Sequence, residues 1–253
     1  MRLRSVRDSS LDQLNQRAGV FVAACGYEHR AYAISRLVMA PERKIALCFT
    51  EWTDAIARRE NQRKFAERGF ELEDVGGNDP AKVRAVVSRL ADQAFRLGKA
   101  ISFDISSMTR AWHGAIVSEL RRLDTKREIE TLFAYAPAKF TGAPRRQYPN
   151  EFVEPVDGFA GLSPPDLPVS AVIGLGYEKE RALGLEQLLD PERTMLLIPK
   201  SGDLDKYFPE VLRSNRGILA RTPRERIFNY SIVEPAATFA TLASIVSDLR
   251  ESY

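Results

Sequence analysis

The chain has 253 residues, 44% hydrophobic and 28% charged, with a net charge of +3 and two cysteines. That is the composition of an ordinary globular protein with a sizeable core, and it argues against a disordered or disulfide-built chain. No apolar run approaches the roughly 18 residues of a membrane span, and the basic N-terminus MRLRSVRDSS is followed by no apolar leader core, so a cytoplasmic location is expected.

The elements alternate from the start. Val20–Cys25 is a short apolar run, read as a buried strand, and Glu28 to Val38 carries helical spacing through Ala31, Ile34, Leu37 and Val38. Lys44–Phe49 is a second buried run, Asp54–Arg68 a charged amphipathic helix, and Phe70–Val75 a weaker third strand. Asp79 and Pro80 are the N-cap and first residue of a helix with Val83, Val86, Val87, Leu90, Ala91 and Phe95 on one face. Ala100–Ile105 is a fourth strand, Thr109–Leu123 a helix, and Ile129–Tyr135 a fifth strand. Such alternation predicts an α/β, Rossmann-like fold: a mostly parallel sheet with flanking helices.

Residues 136–168 hold seven prolines and no period, and are read as a connection with a short hairpin around 147–152. After it the opening returns. Gly26-Tyr27-Glu28 recurs at 176–178, and Pro-Glu-Arg at 41–43 recurs at 191–193 with the same offset. Apolar runs flank both copies. The second copy continues with a helix at 178–189, strands at 194–199 and 227–233, a short helix at 204–213, and a closing helix containing Phe239, Leu242 and Ile245. The expectation is an internal duplication: a five-strand lobe at 1–140, a Pro-rich connection at 141–168, and a shorter βαβαβα lobe at 169–253.

Two motifs carry possible chemistry. The fourth strand ends in Asp104-Ile105-Ser106-Ser107-Met108-Thr109-Arg110. Hydroxyls from Ser106, Ser107 and Thr109, the Arg110 guanidinium and the N–H groups of a helix start together suit an anion, although Ser107 or Thr109 also fits a plain helix cap. In a doubly wound sheet the first and fourth strands flank the switch point, so this loop is expected to face Gly26–Arg30. There Gly26 permits a close turn, Tyr27 stacks on a base or packs on its loop, and Arg30 holds phosphate. Glu28 accepts from a ribose hydroxyl, acts as a base, or simply favours the helix dipole. Glu28 and Asp104 are the candidate catalytic residues if the protein is an enzyme.

Lys139, Arg145 and Arg146 border the same crevice, as does Trp52. His29 and His113, the only histidines, are read as incidental, so neither a metal nor a cofactor is expected. Cys25 and Cys48 are read as reduced core thiols. Walker A, G-x-G-x-x-G, G-x-S-x-G, H-E-x-x-H and C-x-x-C motifs are absent, which disfavours NTPase motors, NAD dehydrogenases and zinc enzymes.

On Asp104, Ile105, Ser106 and Arg110, residues 18–135 resemble the CARF-type Rossmann-like domains of prokaryotic defence systems. Their fourth strand is followed by Asp-(Ile/Leu)-(Thr/Ser)-Gly-Gly-Thr-Lys-x-Met; Arg110 stands where the Lys would, and Ser107 and Met108 replace the two glycines. The resemblance implies a nucleotide or cyclic-oligonucleotide ligand and a sensor or accessory subunit working with a partner protein or as a homodimer. The open alternatives are a nucleotide or nucleic-acid hydrolase or transferase, and a structural interaction module.

Overall fold

In the computed structural model, residues 6–124, 128–138, 153–162, 164, 166–200 and 208–251 are described. The chain forms two compact units, the first built mainly from Ser9–Ala138 with Pro155–Ala160, the second mainly from Gly161 onward.

The first unit is an α/β, Rossmann-like domain. Its strands are β1 (Ala18–Cys25), β2 (Arg43–Phe49), β3 (Glu71–Val75), β4 (Ala100–Asp104) and β5 (Thr131–Ala134), and its helices are α1 (Leu11–Arg17), α2 (Arg58–Glu67), α3 (Pro80–Arg96) and α4 (Arg110–Asp124). All strands pair in parallel in the order β3-β2-β1-β4-β5. β1 is central and every one of its eight residues is buried, which explains its unbroken apolar sequence. One sheet face packs on α3 and α4 through Val20, Val22, Ile45, Leu47, Leu90 and Trp112. The other carries Phe21, Ala23, Cys25 and Cys48, with Phe65 of α2 packed in the same cluster.

Local chemistry fixes the helix ends. Asp79 accepts from the Lys82 N–H at 3.0 Å and Pro80 occupies the first helical turn of α3. The same helix stops at Gly98, whose φ of +63° allows Lys99 to donate to Ala94 O and Gly98 to Phe95 O, a Schellman closure. α2 ends the same way at Gly69, with the Phe65 and Phe70 rings 4.9 Å apart beneath it.

One expected helix does not form. Residues 28–38 make two short 3-10 turns, His29–Tyr32 and Ser35–Leu37. Both ends of the stretch are tied down: Asn61 Nδ2 donates to Glu28 O, while Asn15 Nδ2 donates to Leu37 O and accepts from Met39 N–H at Oδ1. Leu37 is exposed and Val38 fully buried, so the apolar spacing does not map onto one helical face. Another feature lies beyond any periodicity. Val156, within the Pro-rich connection, packs so closely on Gly114 of α4 that a Cβ there would collide with it, and Asp157 pairs with Arg84 of α3.

The second unit has β6 (Ser170–Gly174), β7 (Arg193–Pro199) and β8 (Ile227–Tyr230), with α5 (Arg181–Leu189), α6 (Phe208–Ser214), α7 (Arg216–Arg221) and α8 (Pro235–Glu251). Its sheet is parallel in the order β6-β7-β8. β8 ends at Tyr230, short of the expected Val233. The proposed hairpin near 147–152 and the start of the helix expected at 204 lie outside the described residues. No described helix is long and apolar enough to cross a membrane.

Candidate functional site

β1 and β4 are hydrogen-bonded neighbours, with Ala23 opposite Asp104, and the chain crosses to opposite sides of the sheet after them. The loops leaving their carboxyl ends therefore meet at the switch point. A Cβ placed on Gly26 would lie 3.1 Å from Ser107 Cβ, so the two loops touch. Gly26 is there for that close approach; the positive-φ glycines described are Gly69, Gly98 and Gly158.

Asp104 sits at the centre. It is 1% exposed; Oδ1 accepts from the Ser106 N–H at 3.1 Å and from the Ser106 hydroxyl, whereas Oδ2 has no hydrogen-bond partner among the described residues. Burial pushes its carboxyl up from the usual range to about 6, against the opposing pull of the two Ser106 hydrogen bonds and the charge of Arg30. The Ser106 hydroxyl in turn accepts from the Ala136 N–H at 2.8 Å, tying β4 to the segment after β5.

Glu28 and Arg30 form a pair at 2.5 Å. Arg30 also donates to the Tyr135 hydroxyl at 3.3 Å and to Ala136 O at 3.0 Å, with its guanidinium 5.6 Å from the Tyr135 ring centre. Arg30 is thus engaged internally rather than presented to a phosphate, and its pKa stays raised because the Glu28 and Tyr135 bonds outweigh the cost of burial. Ser107 Oγ donates to Glu28 Oε2 at 3.4 Å, closing the link between the two sequence motifs. Tyr27 is 40% exposed at the rim, and its carbonyl accepts from Ala57 N–H.

Thr109 is the cap of α4. Its Oγ1 accepts from Trp112 N–H at 3.2 Å and donates to Gly77 O at 2.9 Å. Trp112 Nε1 donates to Gly76 O and its ring stacks on Phe49 at 4.3 Å, so the β3–α3 turn is anchored to the start of α4. Arg110, one residue on, is exposed, and its guanidinium makes no hydrogen bond or ion pair among the described residues. His113 packs with Nε2 3.3 Å from Ile105 O, and burial lowers its pKa. Trp52 is 74% exposed with a left-handed φ of 54°. Lys139, Arg145 and Arg146 lie outside the described residues. No cluster of three His, Cys, Asp or Glu side chains able to hold a metal occurs among the described residues.

The most informative residue absent from the sequence reading is Asn61. It is 1% exposed on α2, and its Nδ2 donates to Gly26 O at 2.9 Å and Glu28 O at 2.8 Å. The second unit has the same device: Asn215, also 1% exposed, donates to Gly176 O at 2.6 Å. The signal was present as a polar residue between Arg58 and Phe65 on the inward stripe of an amphipathic helix.

A scan against protein-family models and a search of curated proteins each returned no match for this chain.

Proposed function

We propose that the first unit binds a nucleotide-like ligand at the carboxyl edge of β1 and β4. Asp104 Oδ2 accepts from a hydroxyl or amine of the ligand, and Arg110 at the start of α4 meets its phosphate. The observation that carries this reading is Asp104 itself. A carboxyl oxygen with 1% residue exposure and no partner, at a sheet switch point, is a costly feature unless a ligand donor completes it. The short fit to the CARF-type signature supports extending the reading to a cytoplasmic sensor or accessory subunit of a prokaryotic defence system, with a nucleotide or cyclic oligonucleotide as ligand and a partner protein or second copy as its assembly mate.

The two units are read as copies of one ancestral βαβ block. Supporting this, β1–β2 pairs Val20 with Arg43 while β6–β7 pairs Ser170 with Arg193, which is the same register at the repeat's offset. The paired asparagine clasps agree.

Calorimetry with a panel of nucleotides and cyclic oligonucleotides tests the site. A hydrogen bond to a charged carboxylate contributes about 1.5–3 kcal/mol, so Asp104→Ala should weaken binding by roughly ten- to a hundredfold. Arg110→Ala should weaken phosphate-bearing ligands selectively. Wild-type affinity in both variants overturns the assignment.

A second reading is enzymatic, a hydrolase or transferase acting on a nucleotide or nucleic acid. It is favoured by the Asp104 carboxyl at about 6, close to the working range of a general acid–base group. Turnover of nucleotides, NAD or oligonucleotides that disappears in Asp104→Asn or Glu28→Gln while binding persists selects it.

A further inference from the structure

Asp104, Ser106, Ser107, Glu28 and Arg30 meet at the carboxyl edge of β1 and β4 through polar groups alone. A nucleotide brings a flat base as well as hydroxyls and phosphate, and proteins hold such bases on aromatic faces. Three rings at this edge already have partners. Phe49 and Trp112 stack on each other, and Tyr135 lies against the Arg30 guanidinium. Trp52 differs from all three. It is 74% exposed and has no ring or cation partner among the described residues.

Trp52 lies on the segment that leaves β2, and that segment is fastened on both sides to the loops bordering Asp104. Before it, Glu51 accepts from Gly77 N–H at 3.0 Å with each carboxylate oxygen. The carbonyls of Gly76 and Gly77 accept in turn from Trp112 and Thr109 at the start of α4. After it, Ala57 N–H donates to Tyr27 O at 3.1 Å. Phe49, the last residue of β2, lies against both flanking loops: Cβ atoms on Gly26 and Gly77 would sit 3.6 and 3.5 Å from its ring. β2 and β4 both pair with β1, so their ends are two strand spacings, about 10 Å, apart. A base, ribose and phosphate laid along the edge bridge that span.

The backbone of the segment is strained. Trp52 has φ 54° and Ile56 has φ 45°. Left-handed backbone is unfavourable for a bulky side chain and more so for a β-branched one; a turn that only connects places Gly, Asn or Asp there. Ile56 is 76% exposed, so neither side chain gains burial to offset the cost. Strain of this kind collects where a side chain is presented to a ligand. The second copy supplies a contrast. At the offset of 150 residues it keeps Gly-Tyr-Glu and Pro-Glu-Arg but has Gly202 in place of Trp52. The indole therefore belongs to what sets the first unit apart, as Asp104 does.

We infer that the Trp52 indole is the base platform of the candidate site, and that the ligand held by Asp104 and Arg110 is a purine nucleotide whose base stacks on it. This rests on the nucleotide reading of the site and extends it from hydroxyl and phosphate to the base. Stacking is indifferent to the hydrogen-bonding edge of the base, so adenine and guanine are both accepted. The larger purine ring overlaps the indole more than a pyrimidine does, which sets the preference.

The test uses the full chain with AMP, GMP, CMP and ribose 5-phosphate, followed by calorimetry and tryptophan fluorescence. The chain has two tryptophans and Trp112 is fully buried, so acrylamide quenching reports on Trp52. AMP and GMP should shield Trp52 from acrylamide, ribose 5-phosphate should not, and CMP should bind more weakly than either purine nucleotide. Trp52→Asn removes the ring and suits left-handed backbone. It should weaken AMP roughly five- to 150-fold, leave ribose 5-phosphate unchanged, and melt at the wild-type temperature or higher. Trp52→Phe should recover part of the AMP affinity. AMP binding weakened by Asp104→Ala but not by Trp52→Asn overturns the platform and leaves the site; AMP binding weakened by neither overturns both. The platform is equally overturned if neither AMP nor GMP binds the wild type, or if Trp52 stays open to acrylamide in the complex.

Discussion

The two Gly-Tyr-Glu loops share sequence, strand register and an asparagine clasp, yet their surroundings differ. In the first unit β1 is central and β4 lies beside it, so Gly26–Arg30 meets Asp104–Ser107 and Tyr135. In the second unit β6 is the end strand of its sheet, and Glu178 pairs only with Arg181, at 3.8 Å, among the ion pairs described. The common elements are therefore those that build the loop, and the differing ones are those that make up the proposed site. Gly-Tyr-Glu marks a strand-end structure; the proposed site needs the neighbour supplied by β4.

Asp104 should show the largest separation between the units. Its folded pKa lies near 6 against 3.8 for an unperturbed carboxyl, so the protonated form is favoured in the fold. The stability this contributes is complete below about 4 and is lost as pH rises through about 6, a change on the order of 3 kcal/mol. Denaturant unfolding of wild type and Asp104→Asn across pH 4 to about 8 should show the wild type losing stability relative to the variant; a constant difference would remove the strained carboxyl from the account.

The clasps come next. Asn61→Ala leaves one buried and one partly buried carbonyl without that donor and should destabilise the first unit by about 1–3 kcal/mol. Asn215→Ala, which removes donations to Gly176 and Val211, should cost a similar amount or less, and in the second unit alone. Hydrogen exchange resolved by segment checks this: faster exchange near 26–30 for one variant and near 176–178 for the other. Loss of protection in both loops from either change would contradict two separate clasps.

The smallest effect concerns the glycines. A methyl at Gly26 meets Ser107 Cβ at 3.1 Å, whereas at Gly176 it meets only the flexible Glu178 side chain. Gly26→Ala should lower stability by about 1 kcal/mol and weaken ligand binding, with Gly176→Ala close to neutral. Thermal melts that rank them the other way would mean the loops do not approach as described.

The sheet was legible because most strands are short apolar runs between Gly, Pro or charged turns, β3 with its Glu71-Leu72-Glu73-Asp74-Val75 being the weak one, and the repeat marked the positions of the first two strands in each unit. The Asp104–Arg110 string was legible as a site because its polar residues crowd one strand end. Its internal division was not. Thr109 and Ser106 are occupied in holding the backbone, Arg30 turns inward to Glu28 and Tyr135, and Arg110 is left at the surface. Those assignments depend on contacts between residues far apart in the chain, such as Ser106 with Ala136 and Thr109 with Gly77. The same holds for the false helix at 28–38, whose ends are set by Asn61 and Asn15 rather than by its own spacing, and for Val156 on Gly114.

The central claim is that Asp104 awaits a donor from a ligand. A ligand that donates to the ionised carboxylate binds more tightly as pH rises through about 6. The direct measurement is calorimetric affinity of the wild type and Asp104→Asn for the tightest nucleotide of the panel at about pH 5 and pH 7.5. The account predicts wild-type binding roughly tenfold tighter at the higher pH, with weaker and pH-independent binding by the variant. Equal affinity of the two proteins at both pH values would contradict it.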